Sequence, residues 1–435
     1  MTKGKPLKVI LYFAIPLYIG QLFQLCYSLI DTRIIGSALG EESLAAVGST
    51  TLLSDLLIEF INGVICGFGI IISTHWGADN KKRVKKAMGG TIILGIAGTV
   101  LISTVCLLTL PQILQLLNVQ DRLMPEASAY LRIIIAGLAA SALYNVCAAV
   151  LRAIGDSFTP LIFLIISNVL NVMLDYIGVC YFQMGVCGAA AATVISQFCS
   201  AILCVLYMCR KYPWIVLHKQ DLRPEKDMYK QLIPTGLSMG CMLSFVMLGS
   251  LALQAGINAL GENMIVAHTG ARKITMVFLI PFFVLGTALA TYCGQNLGAG
   301  QYDRIKKGIR DAIFVSLGWC VIVLLIVFTL SSEMIQLVTA SSKSEVLDSA
   351  SLYLQVNAVF YFLPAIICIL RNSMQGFGDS RTPLVSSAIE FAGKVLIAFL
   401  LVPHIGYLGV IVSEPMVWVV MVIPLLIGMR KNSIF

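Results

Sequence analysis

Two carboxylates stand in stretches that otherwise read as membrane-buried helix. Asp175 lies in "SNVLNVMLDYIGV", residues 167–179, with Asn171 four residues before it. Asp31 lies in an earlier apolar run, with Tyr27 four residues before it. Residues four apart share one face of a helix, so each pair projects together. An ionisable group at mid-bilayer costs roughly 2.5–3.5 kcal/mol on insertion scales, which makes function its default explanation. Thr193, in "GAAAATVISQ", sits among small residues that let helices approach closely. Counted from the outer ends of their runs, Asp175 and Thr193 are each about seven residues deep, or roughly 10 Å at the helical rise. Asp31 falls at a similar depth, with Tyr27 one turn deeper.

Carboxylate, amide and hydroxyl oxygens are the donors a hard cation prefers. A sodium ion fits the oxygen set of Asp31, Asn171, Asp175 and Thr193. Two carboxylates close together in poorly solvated surroundings do not readily both ionise. Such a pair can exchange a proton, a sodium ion or a cationic drug. The competing reading is a fixed polar network that only holds helices together.

Other polar groups interrupt the apolar runs. Pro16 sits within the first run, below Asp31, where a proline removes a helix hydrogen bond and favours a bend. Asp55 and Glu59 are again four apart; they line a cavity or neutralise Arg33 or another buried base. Asn145 is a further cavity candidate. In the second half, Glu390 and Lys394 are four apart, and Glu414 falls at a depth comparable to Lys394, which predicts an internal ion pair. His268 and Arg272, one turn apart, are candidates for the same network, and His268 also for carrying a proton.

These groups must be positioned by transmembrane helices. Of 435 residues, 58% are hydrophobic and 12% charged, against about 25% charged in a soluble domain. Mean hydropathy is +0.89. Runs long enough to span a bilayer, about 20 residues each, fall near 9–37, 44–73, 88–110, 126–152, 158–181, 187–209, 231–257, 264–293, 309–331, 348–373, 382–402 and 406–429. The first is read as an uncleaved span rather than a signal peptide, since no small-residue cleavage site follows it. The net charge of +8 comes from short clusters such as "KKRVKK" at 81–86, not from a nucleic-acid surface. With a cytoplasmic N-terminus, 23 of the 30 basic residues lie on the inside, which predicts both termini cytoplasmic. The 13 cysteines form no C-x-x-C pair and read as small apolar filling.

The chain also repeats itself. "WGADNKKRVKKA" at 76–87 returns as "LGAGQYDRIKKG" at 297–308, "GDSFTP" at 155–160 as "GDSRTP" at 378–383, and Ile15-Pro16 as Ile233-Pro234. Six spans per copy make the repeats parallel, related by an axis along the membrane normal. The expected layout is an N-lobe at 1–209, a cytoplasmic linker at 210–230 and a C-lobe at 231–435. No phosphate-binding loop and no H-E-x-x-H is present, so no enzyme, resident cofactor or ATP-driven pump is expected.

With "LIDTRIIGSALG" closing span 1, "WGA" and "GQNLGAG" closing spans 2 and 8, and "SEP" at 413–415, the chain resembles the multidrug and toxic compound extrusion (MATE) family over nearly its whole length. The resemblance implies an all-α fold of twelve spans in two six-helix lobes forming a V. It implies a secondary antiporter exporting organic cations and drugs against inward sodium or proton flow. It also implies that Asp31, Tyr27, Asn171, Asp175 and Thr193 form the N-lobe cation and proton site. Some family models couple protonation of that site to bending at a proline like Pro16. Many members carry acidic residues on spans 7 and 10. Here those spans offer only amides, Gln254 and Asn258, then Gln355 and Asn357, so a C-lobe cation site of that kind is not expected.

Two other functions compete. A flippase for a lipid-linked glycan would show a cationic cavity, whereas the N-lobe candidates are mostly acidic. A non-transporting scaffold would need extramembrane surface beyond the short linker. The expectation is therefore a monomeric plasma-membrane transporter of small cationic amphiphiles, embedded in the lipid bilayer and binding no nucleic acid.

Overall fold

Apolar runs deprived of water can satisfy their backbone only within themselves, so they close as helices. The computed structural model is almost wholly helical and describes residues 1–117, 119–432 and 434, the side chains of Glu41 and Leu116 excepted. Among the described residues, eleven helices are long and apolar enough to cross a membrane, and one bent pair makes a twelfth span. They are α1 (Pro6–Gly40), α2 (Glu42–Gly77), α3 (Lys81–Leu108), α4 (Met124–Ala153), α5 (Phe158–Tyr181), α6 (Val186–Lys211), α7 (Lys226–Asn258), α8 (Glu262–Gly298), α9 (Tyr302–Thr339), α10 (Ser344–Phe360 and Phe362–Gly376, bent by 54°), α11 (Arg381–Ile405) and α12 (Tyr407–Lys431). The expected all-α, twelve-span fold is what forms. Helices run several residues past the apolar runs, as "KKRVKK" within α3 illustrates, because hydropathy marks the hydrocarbon layer and not the end of the hydrogen-bonded ladder. A short helix, Leu110–Leu116, separates α3 from α4.

The repeated motifs are stop–start devices. In "GDSFTP", Gly155 takes φ 99°, and the chain closes on Arg152 O and Leu151 O. Asp156 then accepts from Thr159 N at 3.0 Å and Thr159 Oγ1 at 2.7 Å, satisfying the open end of α5. "GDSRTP" repeats this: Gly378 has φ 96°, and Asp379 accepts from Thr382 N at 3.1 Å and Oγ1 at 2.7 Å. Asp156 also takes hydrogen bonds from Tyr212 at 3.0 Å and Lys211 at 3.3 Å. Partial burial opposes its charge, but these donors outweigh it and hold its carboxyl below the ordinary range. Asp79 (φ 53°) and Gly300 (φ 67°) make the matching turn in the other pair of motifs.

Two compact units divide the chain, Ile15–Gly240, and Met1–Ala14 with Cys241–Phe435. The divisions fall inside α1, just before Pro16, and inside α7. The stretch at 210–230 is docked within the first unit: Trp214 stacks on Trp76 with centroids 5.1 Å apart, and Lys86 Nζ donates to Gln220 O at 2.6 Å. In the same unit α5 meets α6 at Gly178 and Gly188, where a Cβ on Gly188 would stand 3.0 Å from the Gly178 carbonyl carbon.

Candidate cation site

That close approach of α5 and α6 sets the distance between Asn171 and Thr193. Asn171 is 1% exposed and Asp175 is fully buried. With the Asn171 amide turned to satisfy both its ends, Nδ2 donates to Asp175 Oδ2 at 2.8 Å and to the Tyr27 hydroxyl at 3.3 Å. Its Oδ1 accepts from Thr193 N at 3.0 Å and from Thr193 Oγ1 at 3.3 Å. The Tyr27 hydroxyl also lies within reach of Thr193. Asp31 and Asp175 are close enough that one proton between them would make a hydrogen bond. Tyr27, Asp31, Asn171, Asp175 and Thr193 thus meet in one place on α1, α5 and α6.

Oδ1 of Asp31 and Oδ1 of Asp175 are buried without a hydrogen-bond donor. No ion pair among the described residues involves either carboxylate. Each carboxylate thus keeps one acceptor oxygen open, and no cation among the described residues neutralises them, which suits a proton or a small cation. Tyr130 on α4 faces both carboxylates and packs against Ile35, Val47, Val179, Val186 and Ala189. Sequence reasoning missed it. Its only signal is an aromatic hydroxyl on the buried side of α4. Immediately after Asp175 the helix widens into a π turn, Tyr176–Tyr181, a feature common at functional positions.

Asp55 and Glu59 are not part of this cluster and make no ion pair among the described residues. Asp55 is exposed, and Glu59 is near Asn62 on the same helix. Neither meets Arg33, which is exposed. Arg152 instead reaches Cys66 Sγ at 3.8 Å, and Cys66 donates to Asn62 Oδ1 at 3.7 Å. Asn145 is half-buried on α4, and Pro16 is buried within α1.

In the other unit the expected charges form a chain of alternating sign. Arg371 lies 3.3 Å from Glu390, Glu390 lies 3.0 Å from Lys394, Lys394 lies 3.4 Å from Glu414, and Glu414 lies 2.8 Å from Arg272. Ser250 Oγ on α7 accepts from both Lys394 and Arg272 at 3.4 Å. His268 is buried edge-on between Tyr353 and Tyr407. Gln254 donates to Asn258 at 2.9 Å, and Gln355 to Ser331 at 3.4 Å.

A twelve-helix membrane protein with an acidic intramembrane cluster has the architecture of a transporter. The family model described as MatE matches residues 16–177 and again 238–400. The chain belongs to the MATE family. It is 28% identical over 415 residues to the probable multidrug resistance protein YoeA of Bacillus subtilis, covering 93% of this chain and 89% of that protein. It is 24% identical over 421 residues to the multidrug export protein MepA of Staphylococcus aureus, covering 94% and 90%. A multidrug resistance MATE family transporter of the MOP superfamily, solved in an outward-facing conformation, has the same fold at a TM-score of 0.90 and 23% identity, covering 98% of this chain and 96% of that one.

Proposed function

We propose that this protein is a secondary active multidrug antiporter, exporting small organic cations as sodium ions or protons enter. One observation supports the reading: Asp31 and Asp175 lie against each other with an unpartnered oxygen apiece, no ion-pair partner among the described residues, and the polar groups of Asn171, Tyr27 and Thr193 around them. A proton or monovalent cation arriving takes the pair from two negative charges to one, and its departure restores the second charge, which attracts the next cation. The names of the relatives YoeA and MepA support drug export as the task. The protein works as a monomer in the plasma membrane with both termini cytoplasmic, as two parallel six-span lobes, and uses no resident cofactor.

The test is drug export in proteoliposomes with sodium and proton gradients imposed separately. One of the two gradients drives export in the parent, and Asp175→Asn abolishes that response. Export by Asp175→Asn at the parental rate under the driving gradient would overturn the assignment.

A further inference from the structure

The two halves can be laid on one another by their own motifs. "GDSFTP" on "GDSRTP" starts α5 and α11 in step, and the two family-model matches end at corresponding residues, 177 and 400. In that register Asn171 stands opposite Lys394, and Asp175 opposite Ala398. Gly185 and Gly406, each with φ 61°, start α6 and α12 in step, which sets Thr193 opposite Glu414. Ile15-Pro16 on Ile233-Pro234 sets Tyr27 opposite Phe245 and Asp31 opposite Gly249; the family-model matches, which start at 16 and 238, set Asp31 opposite Leu253, and in either register its counterpart is uncharged.

The contacts follow the same correspondence. Asn171 meets Thr193 in one unit, and Lys394 meets Glu414 at 3.4 Å in the other. Gly249 faces Lys394: a Cβ there would lie 3.1 Å from Lys394 Cδ. Phe245 stacks on Phe391, ring centroids 5.8 Å apart, where the other unit offers the Tyr27 hydroxyl. Both carboxylates of the first site are thus replaced by residues without charge, and its amide by an ammonium. Lys394 Nζ is held by Glu390 at 3.0 Å, Glu414 at 3.4 Å and Ser250 at 3.4 Å, and its side chain is 2% exposed.

We propose that Lys394 is the permanent, covalently tethered occupant of the second half's copy of the cation site. This rests on the reading of the Asp31–Asp175 cluster as the exchanging site. The ammonium occupies the place of a monovalent cation, with carboxylate and hydroxyl oxygens around it as an ion would have. Gly249 makes room for the lysine stem, which an aspartate at that position would obstruct. The second copy is therefore closed to exchange, and the chain carries a single exchangeable cation site.

Lys394→Ala should reopen the copy. In purified full-length protein, ethylammonium should raise the melting midpoint of Lys394→Ala saturably. The shift should persist when Asp175→Asn disables the first site, whereas Asp175→Asn alone, and the triple variant with Lys394→Ala and Glu414→Gln, should show none. Lys394→Arg, which keeps a tethered charge, should behave as the parent. A folded Lys394→Ala with no ethylammonium response would overturn the proposal. If Lys394→Ala cannot be purified even when cells are grown with ethylammonium, the count on the parent decides. Radioactive sodium bound to the purified parent should saturate at no more than one ion per chain; two would overturn the proposal. Loss of exchange in Asp175→Asn reports on the first site alone, so failure of that reading is seen separately.

Discussion

On the proposed function Asp31 and Asp175 work as one unit, since each lies against the other and neither has a counter-ion among the described residues. Asp175→Asn keeps the side-chain volume and removes the exchangeable charge. Gradient-driven export of a fluorescent cation should fall by about tenfold or more at equal expression, and Asp31→Asn should match it. The double variant should be little worse than either single one, because members of one unit are not additive. Tyr130→Phe removes one hydroxyl facing the same carboxylates. It should raise the ion concentration for half-maximal export, because a polar group near the carboxylates is lost, while leaving the maximal rate nearly intact. An unchanged half-point would show that this hydroxyl does not contribute to the site. The two four-residue spacings made the Asp and Asn positions legible in the sequence. Tyr130 was not, because Glu126, four residues before it, lies in the first turn of α4 and nothing in the sequence aims that pair at the Asp31–Asp175 cluster. The fate of Asp55 and Glu59 was equally hidden: which residue a carboxylate meets depends on helix rotation, and hydropathy does not specify that.

At the scale of elements, the motif boxes were visible as repeats, yet their purpose appears only in the backbone. The two G-D-S boxes each supply a left-handed glycine, then an aspartate that caps the next helix, while the box before α3 turns at Asp79 and caps with Asn80. Asparagine caps a helix as well as aspartate, so Asp156→Asn should lower stability at neutral pH only through the lost charge that Thr159, Tyr212 and Lys211 hold. The pH dependence follows from the direction of the shift. The folded-state carboxyl titrates below its unfolded value of about 3.9, so its contribution is complete above that value and disappears as pH falls through the folded value. Melting curves of parent and Asp156→Asn should therefore differ at pH 7 and converge as the pH is taken below about 4. A constant gap across that range would mean that the loop, not the charge, was damaged. Helix lengths were the least legible feature, since α2, α3 and α9 continue beyond their apolar segments on polar residues that hydropathy excludes.

For the molecule as a whole, the count of spans followed from the length and spacing of apolar runs alone. The division into compact units did not. It falls within α1 and α7, where no composition change marks it, and the stretch at 210–230 is packed against its unit through Trp214, Ile215 and Lys86. The bias of basic residues predicts that this stretch is cytoplasmic. Gln220→Cys places a thiol on an exposed position there. A membrane-impermeant maleimide should label it in inside-out vesicles and leave it untouched in intact cells. Labelling from outside would invert the topology.

The paired boxes also bear on ancestry. A chain made by duplicating one half starts with two copies of every residue, those that shape the backbone and those that do chemistry alike. Here the G-D-S boxes still differ at a single residue, Phe158 against Arg381, whereas the corresponding site positions differ at every one of the five considered. The turn that starts α5 and α11 has therefore kept its sequence where the side chains of the cluster have not. On the proposed reading of Lys394, an ancestor with two identical halves would have held two exchangeable cations, and this chain would have turned one of those places into a fixed part of its own covalent structure.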